Sequence, residues 1–200
     1  MQDFDIVIDR KNSTKWKKYK DTGVLPMWIA DMDFKAPQAV SDLLKVRLDL
    51  GDFGYTDAPN ELRDVIVERL KVSYDWTVER NEILFIPGVV SGLNTVCRAW
   101  VKPDESIITA APIYPPFLEA PATNGRELVK IDTDTVGGGY HYPLFALRNA
   151  ITSKSRLLLL CNPFNPIGRV LSFSELREIV DICLDHHLLI CSDEIHCDLV

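Results

Sequence analysis

From residue 83 onward, short uninterrupted apolar runs alternate with stretches of helical periodicity: ILFI at 83–86, SIIT at 106–109, ELVKI at 127–131, RLLLL at 156–160 and HLLIC at 187–191. A strand with one face in water alternates polar and apolar residues, whereas a strand covered on both faces reads as a continuous apolar run. Five such runs joined by helical crossovers predict an α/β domain with a mostly parallel sheet between two helical layers, a three-layer αβα arrangement. The crossovers read as a helix running to Trp100, a short proline-rich helix after APIYPPF, a helix near 145–151, and one opened by a capping box, Ser172 with Glu175 three residues on. The last of these should turn Leu176, Ile179, Val180 and Cys183 inward.

The first third of the chain reads differently. Residues 1–35 show little periodicity, and LPMWIADMDF at 25–34 sets large apolar groups between acids, as an arm lying on another surface would. Pro37 then opens a helix with Val40, Leu43, Leu44 and Leu48 on one face, stopped at Gly51. A second helix from about Pro59 carries Leu62, Val65, Ile66 and Leu70 at the same spacing, and the glycine-framed turn GDFGYT between them exposes Phe53 and Tyr55. Residues 1–50 are therefore expected to be an arm with a first helix, and residues 51–200 part of a larger domain. With 46% hydrophobic residues in 200, a sizeable core is expected. A net charge of -7 argues against nucleic acid or an anionic membrane as the main partner and favours a small molecule. Neither a signal-peptide core nor a window apolar enough to span a bilayer is visible, so a cytoplasmic chain is expected. The basic run KWKKYK at 15–20 reads as a solvated arm, and five cysteines without a C-x-x-C spacing read as free thiols with no metal bound.

Ligands of open α/β sheets gather beyond the carboxyl ends of the strands, and four features of this sequence fall there. PGVVSG at 87–92 turns the chain into a helix whose first N–H groups suit a phosphate, although an ordinary strand-to-helix turn would look the same. Without G-x-G-x-x-G or G-K-[ST], one phosphate is a better expectation than two. In APIYPPF, prolines stiffen the turn that carries Tyr114, which could stack on a flat ligand or simply fill the core. CNPFNPIGR alternates asparagine with proline, more stiffening than a plain turn needs, and so points to function. SDEIHCDLV closes the sequence by placing Asp193 at a strand end, where a buried carboxylate calls for a cation. Opposite a ring N–H⁺ near 4 Å, at an effective dielectric of 20, it would contribute about 4 kcal/mol, enough to keep a pyridine nitrogen protonated at neutral pH. A helix cap for Asp193 and a structural role for His196 are the plainer alternatives.

Taken in order, LPMWIADMDF, FGYT, PGVVSG, PIYPPF, NPFNPIGRV and SDEIHCDLV resemble the pyridoxal phosphate-dependent enzymes of the class I/II aminotransferase fold, and among them the cystathionine β-lyase group of MalY and PatB type. The resemblance implies the fold type I large domain and pyridoxal 5'-phosphate as cofactor. It also implies a homodimer acting on a small amino-acid substrate in methionine or cysteine metabolism, by C–S β-elimination to thiol, pyruvate and ammonia. By the same resemblance, Asp193 pairs with the pyridine nitrogen and Tyr114 stacks on the ring. Asn165 bonds the phenolic oxygen, with His196 near it, and the backbone of Gly88, Val89 and Val90 holds the phosphate. Tyr55 reaches the phosphate of the neighbouring subunit. Where relatives often read NPHNP this chain has Phe164, which removes a polar group, and cofactor binding is expected to survive the change.

The group's Schiff-base lysine follows the DEIH segment by several tens of residues, and no lysine follows Asp193 here. The resemblance therefore implies that no catalytic residue lies in this chain, that its large domain is incomplete at the C-terminus, and that residues 1–50 belong to the family's small domain. An aminotransferase and a non-catalytic fragment acting through protein contacts are the alternative readings.

Overall fold

A parallel sheet in register is what the apolar runs build. The computed structural model describes residues 8–200, and the chain divides into two units, Met1–Pro59 and Asn60–Val200.

In the first unit a one-turn helix, α1 (Thr14–Lys17), is capped by Ser13, whose hydroxyl accepts the Trp16 N–H. Lys15 and Trp16 point at the acid-rich strip. Lys15 Nζ and Trp16 Nε1 donate to the two carboxylate oxygens of Asp33 at 2.7 and 2.8 Å, and Arg10 makes a two-pronged bond to Asp31 at 2.6 Å on each arm. Hydrogen bonds from these cations hold the Asp31 and Asp33 carboxyls below the usual carboxylate range. The ADMDF strip is thus tied down by polar bonds. The amphipathic helix α2 (Gln38–Leu50) ends where Gly51 turns left-handed at φ 68° and donates to the Leu48 carbonyl. Its stripe of Val40, Leu43, Leu44 and Leu48 is 48–71% exposed.

The second unit begins with α3 (Asn60–Tyr74) and α4 (Val89–Trp100). β1 (Ser106–Ala111), α5 (Pro116–Thr123) and β2 (Glu127–Asp132) follow, then a hairpin of β3 (Asp134–Val136) and β4 (Gly139–His141). The remainder is α6 (Leu144–Ala150), β5 (Ser155–Cys161), α7 (Phe173–Asp185) and β6 (Leu189–Asp193). The sheet has the order β2-β1-β5-β6 with every pair parallel. Right-handed crossovers on that order put α5 on one face and α6 and α7 on the other. The packing of α4 with α5, and of α6 with α7, completes the two outer layers. Ile107 and Ile108 of β1 and Leu157, Leu158 and Leu159 of β5 are essentially inaccessible, as are Cys97, Phe117, Leu147 and Ile179 from the helices. The buried hydroxyl of Thr109 is satisfied by the Leu159 carbonyl at 3.0 Å. Among the described residues no helix is long and apolar enough to cross a membrane.

Two local expectations are corrected, and one element is added to them. ILFI does not form a strand: β1 already has β2 and β5 as its neighbours, and a strand exists only through pairing. Arg63 holds this segment instead, donating to the Ile83 carbonyl and lying over the Phe85 ring at 4.9 Å. In α7 the buried face is Ile179, Ile182 and Cys183, while Val180 is 39% exposed, because a helical turn of 3.6 residues swings position 180 past the sheet. The hairpin at 134–141 was missed; it turns on Gly137 and Gly138, both at positive φ (61° and 82°). That is the two-residue glycine turn whose twist suits a hairpin.

Candidate active site at the carboxyl edge of the sheet

Because the sheet is parallel, β1, β5 and β6 all end at one edge, and three of the four candidate segments begin there. Asp193 is the last residue of β6, in register with Cys161 of β5. It is only 8% exposed. Its Oδ1 accepts the Ile195 N–H at 3.0 Å, and its carbonyl accepts the Asn162 N–H at 3.0 Å. Among the described residues no basic side chain forms an ion pair with this carboxylate, so the cation expected there is not supplied by them. His196 is half-buried and starts a 3-10 turn (Cys197–Leu199), its carbonyl accepting the Leu199 N–H at 3.0 Å.

The segment after β5 is a small closed turn. Phe164 and Arg169 form an antiparallel bridge, with Phe164 N–H donating to the Arg169 carbonyl at 2.7 Å and Gly168 N–H to the Phe164 carbonyl at 2.8 Å. Gly168 sits at φ 71°, a conformation glycine adopts at little cost. Asn165 is the first residue at the tip. Its carbonyl accepts the Tyr114 N–H at 3.1 Å, which joins this turn to the one after β1. No side-chain bond engages the Asn165 amide among the described residues, and Tyr114 is 40% exposed, so it is no core tyrosine. Phe164, by contrast, is 3% exposed and packs at 6.4 Å, tilted 44°, against the Tyr142 ring. Its side chain belongs to the core and not to the surface on which Asn165 and Asp193 lie.

Helix α4 contributes the fourth segment. It leads through buried Val101 into the start of β1, so it runs antiparallel to the strands and its first turn lies at their carboxyl edge. Gly88 caps it at φ 91° with no side-chain acceptor, leaving the N–H groups of Val89, Val90 and Ser91 without an intrahelical partner. Gly92, in the first turn of the helix, lets Ile86 pack close: a Cβ there would come within 2.6 Å of Ile86 Cδ1, the end of a half-exposed side chain that would have to turn aside. The edge therefore gathers Gly88, Val89, Val90, Tyr114, Asn165, Asp193 and His196. Tyr55 lies in the other unit and is fully exposed.

The sequence marked Asn162 within CNPFNPIGR and Glu175 within a capping box, but not Arg169 or the bonds by which the three shape the turn. Asn162 accepts the Leu171 N–H on Oδ1 at 2.9 Å. Arg169 forks onto both oxygens of Glu175 at 2.7 Å each, and Glu175 is also the return arm of the α7 capping box. Burial alone would raise the Glu175 carboxyl, but hydrogen bonds from Arg169 and Ser172 win and hold it at about 2. The signal for this was an arginine six residues before a capping-box glutamate. Burial pushes the Cys161 and Cys191 thiols up, and the Asp193 charge adds to both shifts, so neither is a ready thiolate nucleophile.

A carboxylate with an uncommitted oxygen, a free amide, an exposed aromatic face and a helix N-terminus lie on one sheet edge of an α/β protein, a set of groups that could hold a flat, phosphorylated, cationic ligand. The chain belongs to the aminotransferase class I and II family, whose profile matches residues 34–200. It is 37% identical to cystathionine beta-lyase PatB of Bacillus subtilis over 94% of this chain and 50% of that one. It is 31% identical to a cystathionine beta-lyase of Corynebacterium glutamicum over 96% of this chain and 50% of that one. Its structure superposes with a TM-score of 0.91 on cystalysin from Treponema denticola, which contains a pyridoxal 5'-phosphate cofactor. That match is 32% identical and covers 99% of this chain and 52% of cystalysin. The chain spans about half the length of the curated relatives it matches.

Proposed function

We propose that this chain forms the pyridoxal 5'-phosphate-binding part of a carbon–sulfur lyase that cleaves cystathionine or a related cysteine S-conjugate to thiol, pyruvate and ammonia. The observation that carries the reading is Asp193: a carboxylate buried at a strand end, with one oxygen engaged by a backbone N–H and no cation among the described residues to balance it. Such a group is costly unless a positive partner meets it.

The donor set fits that cofactor. When bound, pyridoxal phosphate supplies an electron sink at the α-carbon of an amino acid. Asp193 would hold the proton on the pyridine nitrogen. Asn165, with its amide free, would donate to the phenolic oxygen, with His196 as a second group for the same oxygen. Tyr114 would cover the ring and exclude water from it. Gly88, Val89 and Val90 offer backbone N–H groups to the phosphate at the N-terminus of α4, where the helix dipole favours an anion. Tyr55 reaches the phosphate of a neighbouring subunit in a homodimer. The chain's last lysine, Lys154, precedes β5 and so lies at the opposite edge of the sheet from these groups.

The names of the relatives support a lyase. The experiment is an assay, with cystathionine, of the cofactor-loaded full-length enzyme that contains this chain. Release of thiol and pyruvate is expected, together with loss of both the bound cofactor's visible band and turnover, by more than about 100-fold, in Asp193→Ala. Keto-acid exchange without thiol would make it an aminotransferase. Full retention of cofactor and turnover by Asp193→Ala would overturn the site.

A further inference from the structure

The 164–169 turn is closed at its base and carries Asn165 at its tip, yet among the described residues nothing bonds the Asn165 side chain itself. Its placement is inherited from the backbone on either side. One side is the Asn165 carbonyl, which accepts the Tyr114 N–H at 3.1 Å. The other is the bridge to Arg169, whose carbonyl accepts the Phe164 N–H at 2.7 Å. Arg169 is in turn fixed by its guanidinium, which grips both oxygens of Glu175 at 2.7 Å. That pair is largely shielded, with side-chain exposures of 28% and 16%. Glu175 is not free to follow a moving arginine. Its Oε2 also accepts the Ser172 N–H at 2.9 Å and the Ser172 hydroxyl at 2.8 Å, and Ser172 Oγ accepts the Glu175 N–H at 3.3 Å. The first turn of α7, anchored by buried Ile179, Ile182 and Cys183, is therefore the fixed end of a chain of bonds. That chain passes through Glu175, Arg169 and Phe164 to Asn165 and Tyr114.

We propose that the Arg169–Glu175 fork is a positioning device for Asn165 and Tyr114, by which the cap of α7 sets where these two side chains meet the ring of the cofactor. The inference rests on the cofactor reading above. It assigns Arg169 and Glu175 no contact with the cofactor. Two parallel N–H···O bonds fix a plane, whereas a lysine at the same place would supply a point charge without orientation. The geometry and not the charge should then matter.

The test compares the cofactor-loaded full-length enzyme that contains this chain with its Asn165→Ala, Arg169→Met, Arg169→Lys and Glu175→Gln variants. Two quantities are read: the pH midpoint of the cofactor's visible absorption band and the visible circular dichroism of the bound ring. Asn165→Ala removes a donor to the phenolic oxygen and is expected to move the midpoint. Arg169→Met should move it in the same direction by a smaller amount, weaken the ring's dichroism and lower cofactor retention by about 3- to 10-fold, the equivalent of roughly 1 kcal/mol. Arg169→Lys keeps the charge and loses the fork, and should resemble Arg169→Met. Glu175→Gln breaks the same fork from the other side and should reproduce Arg169→Met, which covers the case in which one variant does not fold.

A fork that only stabilises the fold would lower the melting temperature and leave the band alone. The proposal is overturned if Asn165→Ala shifts the midpoint while neither fork variant does. If Asn165→Ala itself leaves the band unchanged, the placement of Asn165 at the ring fails first and the positioning role falls with it.

Discussion

Helices α2 and α7 are both thirteen residues long and both carry an apolar stripe, yet they meet opposite fates. In α7, Ile179, Ile182 and Cys183 are at most 1% exposed. In α2 no residue is buried, and Leu43, Leu44 and Leu48 are each at least 60% exposed. The difference does not lie in the stripe. α7 follows β5 and precedes β6, so the crossover lays it against the sheet it connects, and its capping box satisfies the first-turn donors. α2 has Pro37 at its N-cap with no side-chain bond, and no strand flanks it among the described residues. Amphipathic spacing thus reports that a helix has a face to bury, while the partner comes from topology.

The sharpest way to break this comparison is to truncate one residue on each stripe. Ile182→Ala should destabilise the chain by about 2–4 kcal/mol, because it removes fully buried methyl groups and leaves a cavity against the sheet. Leu44→Ala should change stability by no more than about 0.5 kcal/mol, since it removes little packing and alanine is a good helix former. Urea unfolding of the two variants beside the parent measures both. Equal losses would mean that the α2 face is covered after all.

A second probe sharpens the contrast between the two helix starts and carries a pH signature. Glu175 has an ordinary carboxyl value of 4.5 in the unfolded chain and about 2 in the folded one. A folded value below the unfolded one stabilises the ionised state. The contribution is therefore complete above about pH 4.5 and is lost as the pH falls through 2. Glu175→Gln should cost about 1–2 kcal/mol at pH 7, from the lost charge-assisted fork and the weakened cap. The gap between variant and parent should close steadily below pH 4.5. A gap independent of pH down to 2.5 would show that Arg169 does not hold the carboxylate in its charged form.

The same contrast explains what was legible in the sequence. Apolar runs whose strands find neighbours within the described residues were readable at once: SIIT, ELVKI, RLLLL and HLLIC became β1, β2, β5 and β6. ILFI is as apolar as the others, yet without a neighbour it is not a strand. Periodicity reports burial, and pairing is non-local. The triglycine at 137–139 was a local signal for the hairpin that was not taken, since two glycines at positive φ are what a tight hairpin turn requires. At the site, residues recognised by type, such as Asp193 at a strand end and Tyr114 in a proline-stiffened turn, lie at the edge where the argument put them. The contacts that place them were only partly legible: the Ser172–Glu175 capping box was read, but the reach of Arg169 to Glu175 was not. Asn162, Arg169 and Glu175 act through bonds to backbone groups and to each other, and such bonds depend on how the turn folds back, which spacing alone does not specify. The direction of the Phe164 side chain was not legible for a related reason. Its neighbours in the sequence face the ligand edge, but the bridge to Arg169 turns its own side chain into the core beside Tyr142.

That core position gives the smallest expected effect. The buried part of the second unit pairs its polar atoms well: Thr109 reaches Leu159, and Ser106 and Ser155 meet each other. Among the described residues only the Tyr142 hydroxyl is buried without a partner. Burial pushes the Tyr142 phenol well above its ordinary value, so it stays a neutral, desolvated donor, and its ring packs against that of Phe164. Tyr142→Phe removes that donor while keeping the ring and its packing. It should stabilise the chain by about 1 kcal/mol, since an unsatisfied buried hydroxyl costs roughly 1–3 kcal/mol and the larger cavity left by the missing oxygen takes part of that back. Phe164→His offers the complementary change, a hydrogen-bonding group in place of the ring edge, and in combination with Tyr142→Phe it should lose whatever it gains alone. A Tyr142→Phe variant less stable than the parent by urea unfolding would show that the hydroxyl has a partner in solution. The well-packed region would then be closed at the one place where it now looks open.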